Sequence, residues 1–256
     1  MDGRRWNEIR RFHAQLSTQP AAADGSSYVE QGNTKVVCTV TGPAEASMRS
    51  KQLHDKASVT VEVTYAAFSG TERKRRGKND KFVFPSPWKG SVLILSRRVQ
   101  EMRMMLQRTF AEAILTHLHP RSEITISLHI LSQDGGELAT CVNAATLALI
   151  DAGVPMTDYV VGMTSGTTLS QSSDDSSPGE PLLDVNGIED SDLPTLTVAT
   201  MGATEKIILL QMENKVHISL LEGMLAVAVD GCAKMKDMLD EVVRKHGSEV
   251  ARTGAL

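Results

Sequence analysis

A chain of 256 residues with 41% hydrophobic and 23% charged side chains can bury one sizeable core or two small ones. Its net charge of −4 argues against a protein that coats nucleic acid with its whole surface, and three scattered cysteines, Cys38, Cys141 and Cys232, argue against a disulfide framework or a zinc site. No apolar run approaches the ~18 residues needed to cross a bilayer, and the start MDGRRWNEIRRF lacks the apolar centre of a signal peptide, so a reduced cytosolic or nuclear chain is expected.

In chain order, SYVEQGNTKVVCTVTG (Ser27 to Gly42) reads as a hairpin, because Gly32-Asn33 separates two runs rich in β-branched residues. In ASVTVEVTY, Val59, Val61, Val63 and Tyr65 alternate with Thr60, Glu62 and Thr64, the pattern of a half-buried strand. TERKRRGKND is a basic loop. Its Gly77-Lys78 is no phosphate loop, since the spacing from Gly70 is wrong and Asn79 stands where Ser or Thr would hold magnesium. The run Arg73, Lys74, Arg75, Arg76 is either a solvated loop or a polyanion contact, and it opens a basic cluster that extends to Arg108. Acidic residues gather instead from Asp174 to Asp192 and near the C-terminus.

A helix is predicted from Arg98 to Leu118, with Val99, Met102, Leu106, Phe110, Ala113, Ile114 and Leu118 on one side and Pro120 beyond its end. EITISLHIL follows as a strand with Ile124, Ile126, Leu128 and Ile130 inward. His117, His119 and His129 have no supporting third ligand, so neither a metal nor another cofactor is expected.

The stretch from Ser132 to Met156 combines a polar turn, Gly135-Gly136 and an apolar helix, with Gly153 and Pro155 marking its end. Leu138, Cys141, Ala145, Leu149 and Ala152 recur at helical spacing, while Ala139, Ala144 and Ala148 keep the helix thin enough to approach a sheet closely. The glycine pair either turns the chain or opens the helix start to an anion such as phosphate. DYVVGMTSGTTL then reads as two short strands around Gly162 and Gly166, and residues 170–181 as a flexible Ser/Asp-rich loop. TLTVATM and KIILLQM are two further strands. The last helix is predicted from Leu221 to His246, with Met224, Val227, Gly231, Met235, Met238 and Val242 as its apolar stripe and Gly247 as its stop. The order of elements predicts an α/β (α+β) fold, a mixed sheet with helices packed on it.

DGG followed by an apolar helix ending in DAGVPM, together with GNTKV at residues 32–36 and DGR at the start, resembles the RNase PH family. Within it, the chain is most similar to ring subunits of the catalytic-type half of the eukaryotic RNA exosome. Family members carry further residues ahead of DGR. The resemblance implies the RNase PH fold, ribosomal protein S5 domain 2-like, as a single domain over residues 1–256. It also makes Phe82 to Ser96 an insertion, since family members pass almost directly from the basic loop into the helix; an exposed apolar loop is expected there.

Active members of the family use phosphate to release nucleoside diphosphates from RNA 3′ ends. They carry an arginine after the glycine turn, where this chain has Glu137-Leu138. They also carry two carboxylates, of which Asp190 matches the first; Thr195 falls at the second, which Asp192 could replace only in a shortened, shifted loop. Asp184 and Asp190 are then relics or solvated loop acids, and an inactive homologue is expected. Arg97 and Arg98 resemble a paired arginine at the channel constriction of the ring, Arg49-Ser50 a basic-Ser pair facing RNA, and Arg73, Lys74, Arg75 and Arg76 a loop facing the RNA path. By the same resemblance the partners are other RNase PH-like ring subunits, RNA-binding cap subunits, a hydrolytic exosome nuclease and single-stranded RNA, with no membrane. The expected locations are nucleus, nucleolus and cytoplasm, and an active phosphate-dependent exoribonuclease is the alternative.

Overall fold

The computed structural model describes residues 3–45, 53–70, 89–168, 180–202 and 206–253, with 89–96 as backbone alone. Two sheets rather than one form the frame. The first has five strands in the order β1-β2-β3-β5-β4, built from β1 (Phe12–Leu16), β2 (Gly25–Gln31), β3 (Thr34–Glu45), β4 (Ser58–Tyr65) and β5 (Ser122–Ser132). It is mixed, because β4 runs parallel to β5 while the other pairs are antiparallel. The second is antiparallel, in the order β7-β6-β8-β9, from β6 (Val160–Thr167), β7 (Pro181–Leu183), β8 (Thr195–Met201) and β9 (Ile207–Met212).

The predicted hairpin is β2–β3, turning at Gly32-Asn33 with Gln31 opposite Thr34. Alternation sets the inward faces of β4 and β5 as expected: Val59, Val61, Ile124, Ile126, Leu128 and Ile130 are all buried.

Helix α2 (Glu137–Asp151) lies between the sheets, and residues 137 to 149 are all buried. A helix packed on a single sheet would keep a polar side; this one cannot. The polar residues it carries are therefore spent on its two neighbours. Ser27 Oγ of β2 donates to Ala144 O at 2.7 Å, Asn143 exchanges two hydrogen bonds with the Gly162 backbone of β6, and Thr146 Oγ1 donates to Val160 O at 2.6 Å. Contact is close enough that a Cβ on Gly25 would fall 2.4 Å from Ala148 O. The alanines on α2 are the counterpart of that glycine. The helix ends as predicted, with Gly153 at φ 68° and the Val154 amide bonded to Leu149 O.

β6 is one strand, not the two short ones expected. Gly162 sits within it against Ala139 of α2, and Gly166 against Val185, so its glycines serve close packing rather than a turn. Every residue of β6 is buried because α2 covers one face and α4 (Ile218–Thr253) the other. At Gly231 of α4, an added Cβ would lie 2.4 Å from Leu183 Cδ1 and 2.9 Å from Met163 Cγ. α4 continues past Gly247, where nothing crowds the backbone; one glycine lowers helix stability by about 1 kcal/mol and does not by itself end a helix.

Helix α1 (Lys89–Ala113) packs on β4. It begins nine residues before the predicted start, so residues 89–96 of the presumed insertion are helical rather than a loop; residues 82–88 lie outside the described residues. Pro85 and Pro87 precede Lys89, and no proline interrupts the run after it. α1 ends at Ala113 rather than Leu118, because Ile114 bridges to Met156 and a 3₁₀ turn, Thr116–Leu118, follows. No described helix is long and apolar enough to cross a membrane.

Candidate functional site

The glycine turn before α2 is held from below by a buried arginine. Gly135 and Gly136 both have positive φ, 73° and 61°, which lets the chain reverse and places Gly136 as the helix cap. Arg10 Nη1 donates to Asp134 O, and Nη2 donates to Gly135 O and to Asp184 Oδ1. Thr34 Oγ1 donates to the same Gly135 carbonyl at 2.8 Å.

The space beside Gly135 is filled by the protein itself, since a Cβ there would lie 2.6 Å from Val185 O. The opening expected from this glycine serves chain packing. The turn is joined to helix α3 (Gly187–Asp192), whose Gly187 amide donates to Asp134 Oδ1 at 3.0 Å.

Asp184 is fully buried, with φ 55°. It accepts from the Arg10 amide at 2.8 Å, from Arg10 Nη2 at 2.9 Å and from Gln31 Nε2 at 2.9 Å. It is thus no solvated loop acid, and it stands behind Gly136 without lining the cleft described next. Its three donors make it the knot between the N-terminal segment, β2 and the α2 turn.

Beside the start of α2 a cavity of about 50 Å³ brings four sequence-selected residues together: Arg98 of α1, Leu138 of α2, Asp190 of α3 and Thr195 of β8. Glu137, Glu213, Thr164 and Thr197 complete much of its lining. Glu137 is buried in the first turn of α2, where the helix dipole favours a carboxylate, and it accepts from Tyr65 Oη at 2.7 Å. Burial pushes the Tyr65 hydroxyl up, and Glu137 pushes it further, so it stays a donor. Arg98 Nη2 lies 3.6 Å from Glu213 Oε1. Burial lowers the Arg98 guanidinium, but Glu213, Glu137, Tyr65 and Asp190 together hold it above its ordinary value.

Arg97 points elsewhere. Its side chain is 83% exposed, and Nε donates to Glu101 at 3.1 Å. Arg49, Ser50, Arg73, Lys74, Arg75 and Arg76 lie outside the described residues. Among the described residues no group of three or more His, Cys, Asp or Glu is placed to hold a metal. All three cysteines are free and buried.

Residues 8–155 match the RNase PH family, described as "3′ exoribonuclease family, domain 1". The chain belongs to the RNase PH family. Exosome complex component SKI6 of Saccharomyces cerevisiae is 38% identical over 249 residues, covering 97% of this chain and 92% of that protein. Exosome complex component RRP41 of Homo sapiens is 39% identical over 253 residues, covering 98% and 93%. The solved structure of rice (Oryza sativa) Rrp46 has the same fold, with a TM-score of 0.73 at 21% identity, covering 93% of this chain and 97% of that one.

Two groups in this RNase PH fold escaped the sequence reading. Arg10 stands in the opening motif, but its buried partner Asp184 is 174 positions away. Glu213 follows the last strand with no periodic signal at all.

Proposed function

We propose that this chain is a non-catalytic ring subunit of the RNA exosome, which scaffolds a hexameric ring and guides single-stranded RNA through its channel for 3′–5′ processing and degradation. Its partners in this reading are other RNase PH-like ring subunits, RNA-binding cap subunits and a hydrolytic nuclease, in the nucleus, nucleolus and cytoplasm. The high coverage by relatives named as exosome complex components supports the assignment.

The lack of catalysis rests on one observation: the cleft at the start of α2 presents Glu137, Asp190 and Glu213, with Arg98 as the cation that faces them and Leu138 as an apolar wall. Phosphorolysis needs an attacking phosphate held by donors and cations. A unit negative charge about 5 Å from one carboxylate meets about 3 kcal/mol of repulsion at an effective dielectric of 20, and three carboxylates face the cleft's arginine. RNA contact then falls to Arg97 and Arg98, and to Arg49, Ser50, Arg73, Lys74, Arg75 and Arg76, whose donors suit backbone phosphates without reading sequence.

The test is incubation of the purified chain, alone and with its ring partner, with RNA and inorganic phosphate. No nucleoside diphosphate is expected. Phosphate-dependent release abolished by Asp190→Ala would establish the phosphorolytic alternative, which the position of Asp190 in the cleft favours.

A further inference from the structure

Arg97 and Arg98 are neighbours on α1 with different surroundings. Arg97 is largely in solvent and pairs within its own helix, whereas Arg98 faces carboxylates from three other segments: Glu137 on α2, Asp190 on α3 and Glu213 beyond β9. Tyr65 of β4 also faces it, and Glu101 of α1 lines the same cavity.

The carboxylates are not equivalent. Glu137 is buried and tied to Tyr65, so it cannot follow the arginine outward. Glu213 has a half-exposed side chain, 51%, at the end of an edge strand, and Gln211 Nε2 donates to its Oε1 at 3.1 Å, the atom nearest Arg98. Arg98 is itself 47% exposed. Its guanidinium has a route to solvent.

We propose that Arg98 has two occupancies, docked on Glu213 when no RNA is present and transferred to a backbone phosphate when single-stranded RNA passes, with Glu213 as the positioning residue that sets how readily it is released. This rests on the RNA-guiding reading above. Carboxylate and phosphodiester both match the fork of guanidinium donors, so the exchange replaces one charge-assisted contact by another. The pair is too open to hold the arginine tightly, because exposed ion pairs are weak. Glu213 therefore keeps Arg98 in reserve and lowers its share of RNA affinity.

The experiment uses the full chain assembled with its ring partners and fluorescein-labelled oligouridylate, titrated at several sodium chloride concentrations. Glu213→Gln is expected to tighten binding about threefold, the scale of an exposed ion pair, with the salt slope unchanged, because Arg98 meets the phosphate in both proteins. The tightening disappears in an Arg98→Gln background, where the slope falls by about 0.7, one phosphate contact on a single strand. Equal tightening in that background would reduce Glu213 to a general source of negative charge and overturn the exchange, as would no tightening at all. Arg97→Gln separates the two levels. If it weakens binding while Glu213→Gln is silent, only the exchange fails; if Arg97→Gln and Arg98→Gln both leave affinity and salt dependence unchanged, the RNA-guiding reading fails with it.

Discussion

Replacing Asp184 by Ala removes the acceptor that the Arg10 amide, Arg10 Nη2 and Gln31 Nε2 share, and strands a guanidinium whose side chain is only 4% exposed. Arg10 keeps its bonds to the carbonyls of Asp134 and Gly135, so the loss is the ion pair and two neutral donors rather than the whole network. Breaking a buried pair from one side costs about 3–5 kcal/mol. With a urea dependence of about 3 kcal/mol/M for a domain near the upper end of the usual size range, the midpoint should fall by about 1–1.7 M. Circular dichroism of the purified chain in urea measures it. Pairing Asp184→Leu with Arg10→Met should recover much of the loss, since it leaves neither charge behind. A fall below about 0.2 M for Asp184→Ala, the level of an ordinary surface change, would refute the role of Asp184 as a structural knot.

Gly25→Ala pushes a Cβ to 2.4 Å from Ala148 O and Ala152 N, both backbone atoms, and should destabilise by at least the ~1–3 kcal/mol of an overpacked core; thermal unfolding reads it. Gly247→Ala meets open space inside α4 and should stabilise by about 0.5–1 kcal/mol in the same assay. Burial raises the Cys232 thiol from 9.0 to about 11. Its stabilising contribution is complete below 9.0 and is lost as pH rises through about 11, so urea midpoints measured across that window should decline, and less so for Cys232→Ala once its lower baseline is subtracted. The native thiols, all buried, should resist iodoacetamide at pH 8 and react on unfolding.

Local periodicity carried much of the fold. The β2–β3 hairpin, the inward faces of β4 and β5, the limits of β8 and the glycine-capped end of α2 follow from side-chain alternation and turn chemistry within a few residues of each position. What periodicity could not carry was the division into two sheets. An alanine-rich helix buried on every side and one packed on a single sheet share the same spacing, and only the pairing of Ser27 and Gly162 with opposite sides of α2 separates them. At the start of α1 and at Gly247 within α4, flanking signals outweigh the helix's own continuity in the sequence. For the cleft, Arg98, Leu138, Asp190 and Thr195 were each legible from the family pattern, and they do meet. Asp184 and Glu213 are defined by partners far away in the chain, Arg10 and Arg98, which no local pattern shows.

The proposed role depends most directly on the path of RNA through the assembled ring. Nuclease protection of a single-stranded RNA threaded into a ring carrying Arg97→Glu with Arg98→Glu is the decisive measurement. Intact assembly with a weakened protected fragment is expected. Full protection with intact assembly would contradict that role.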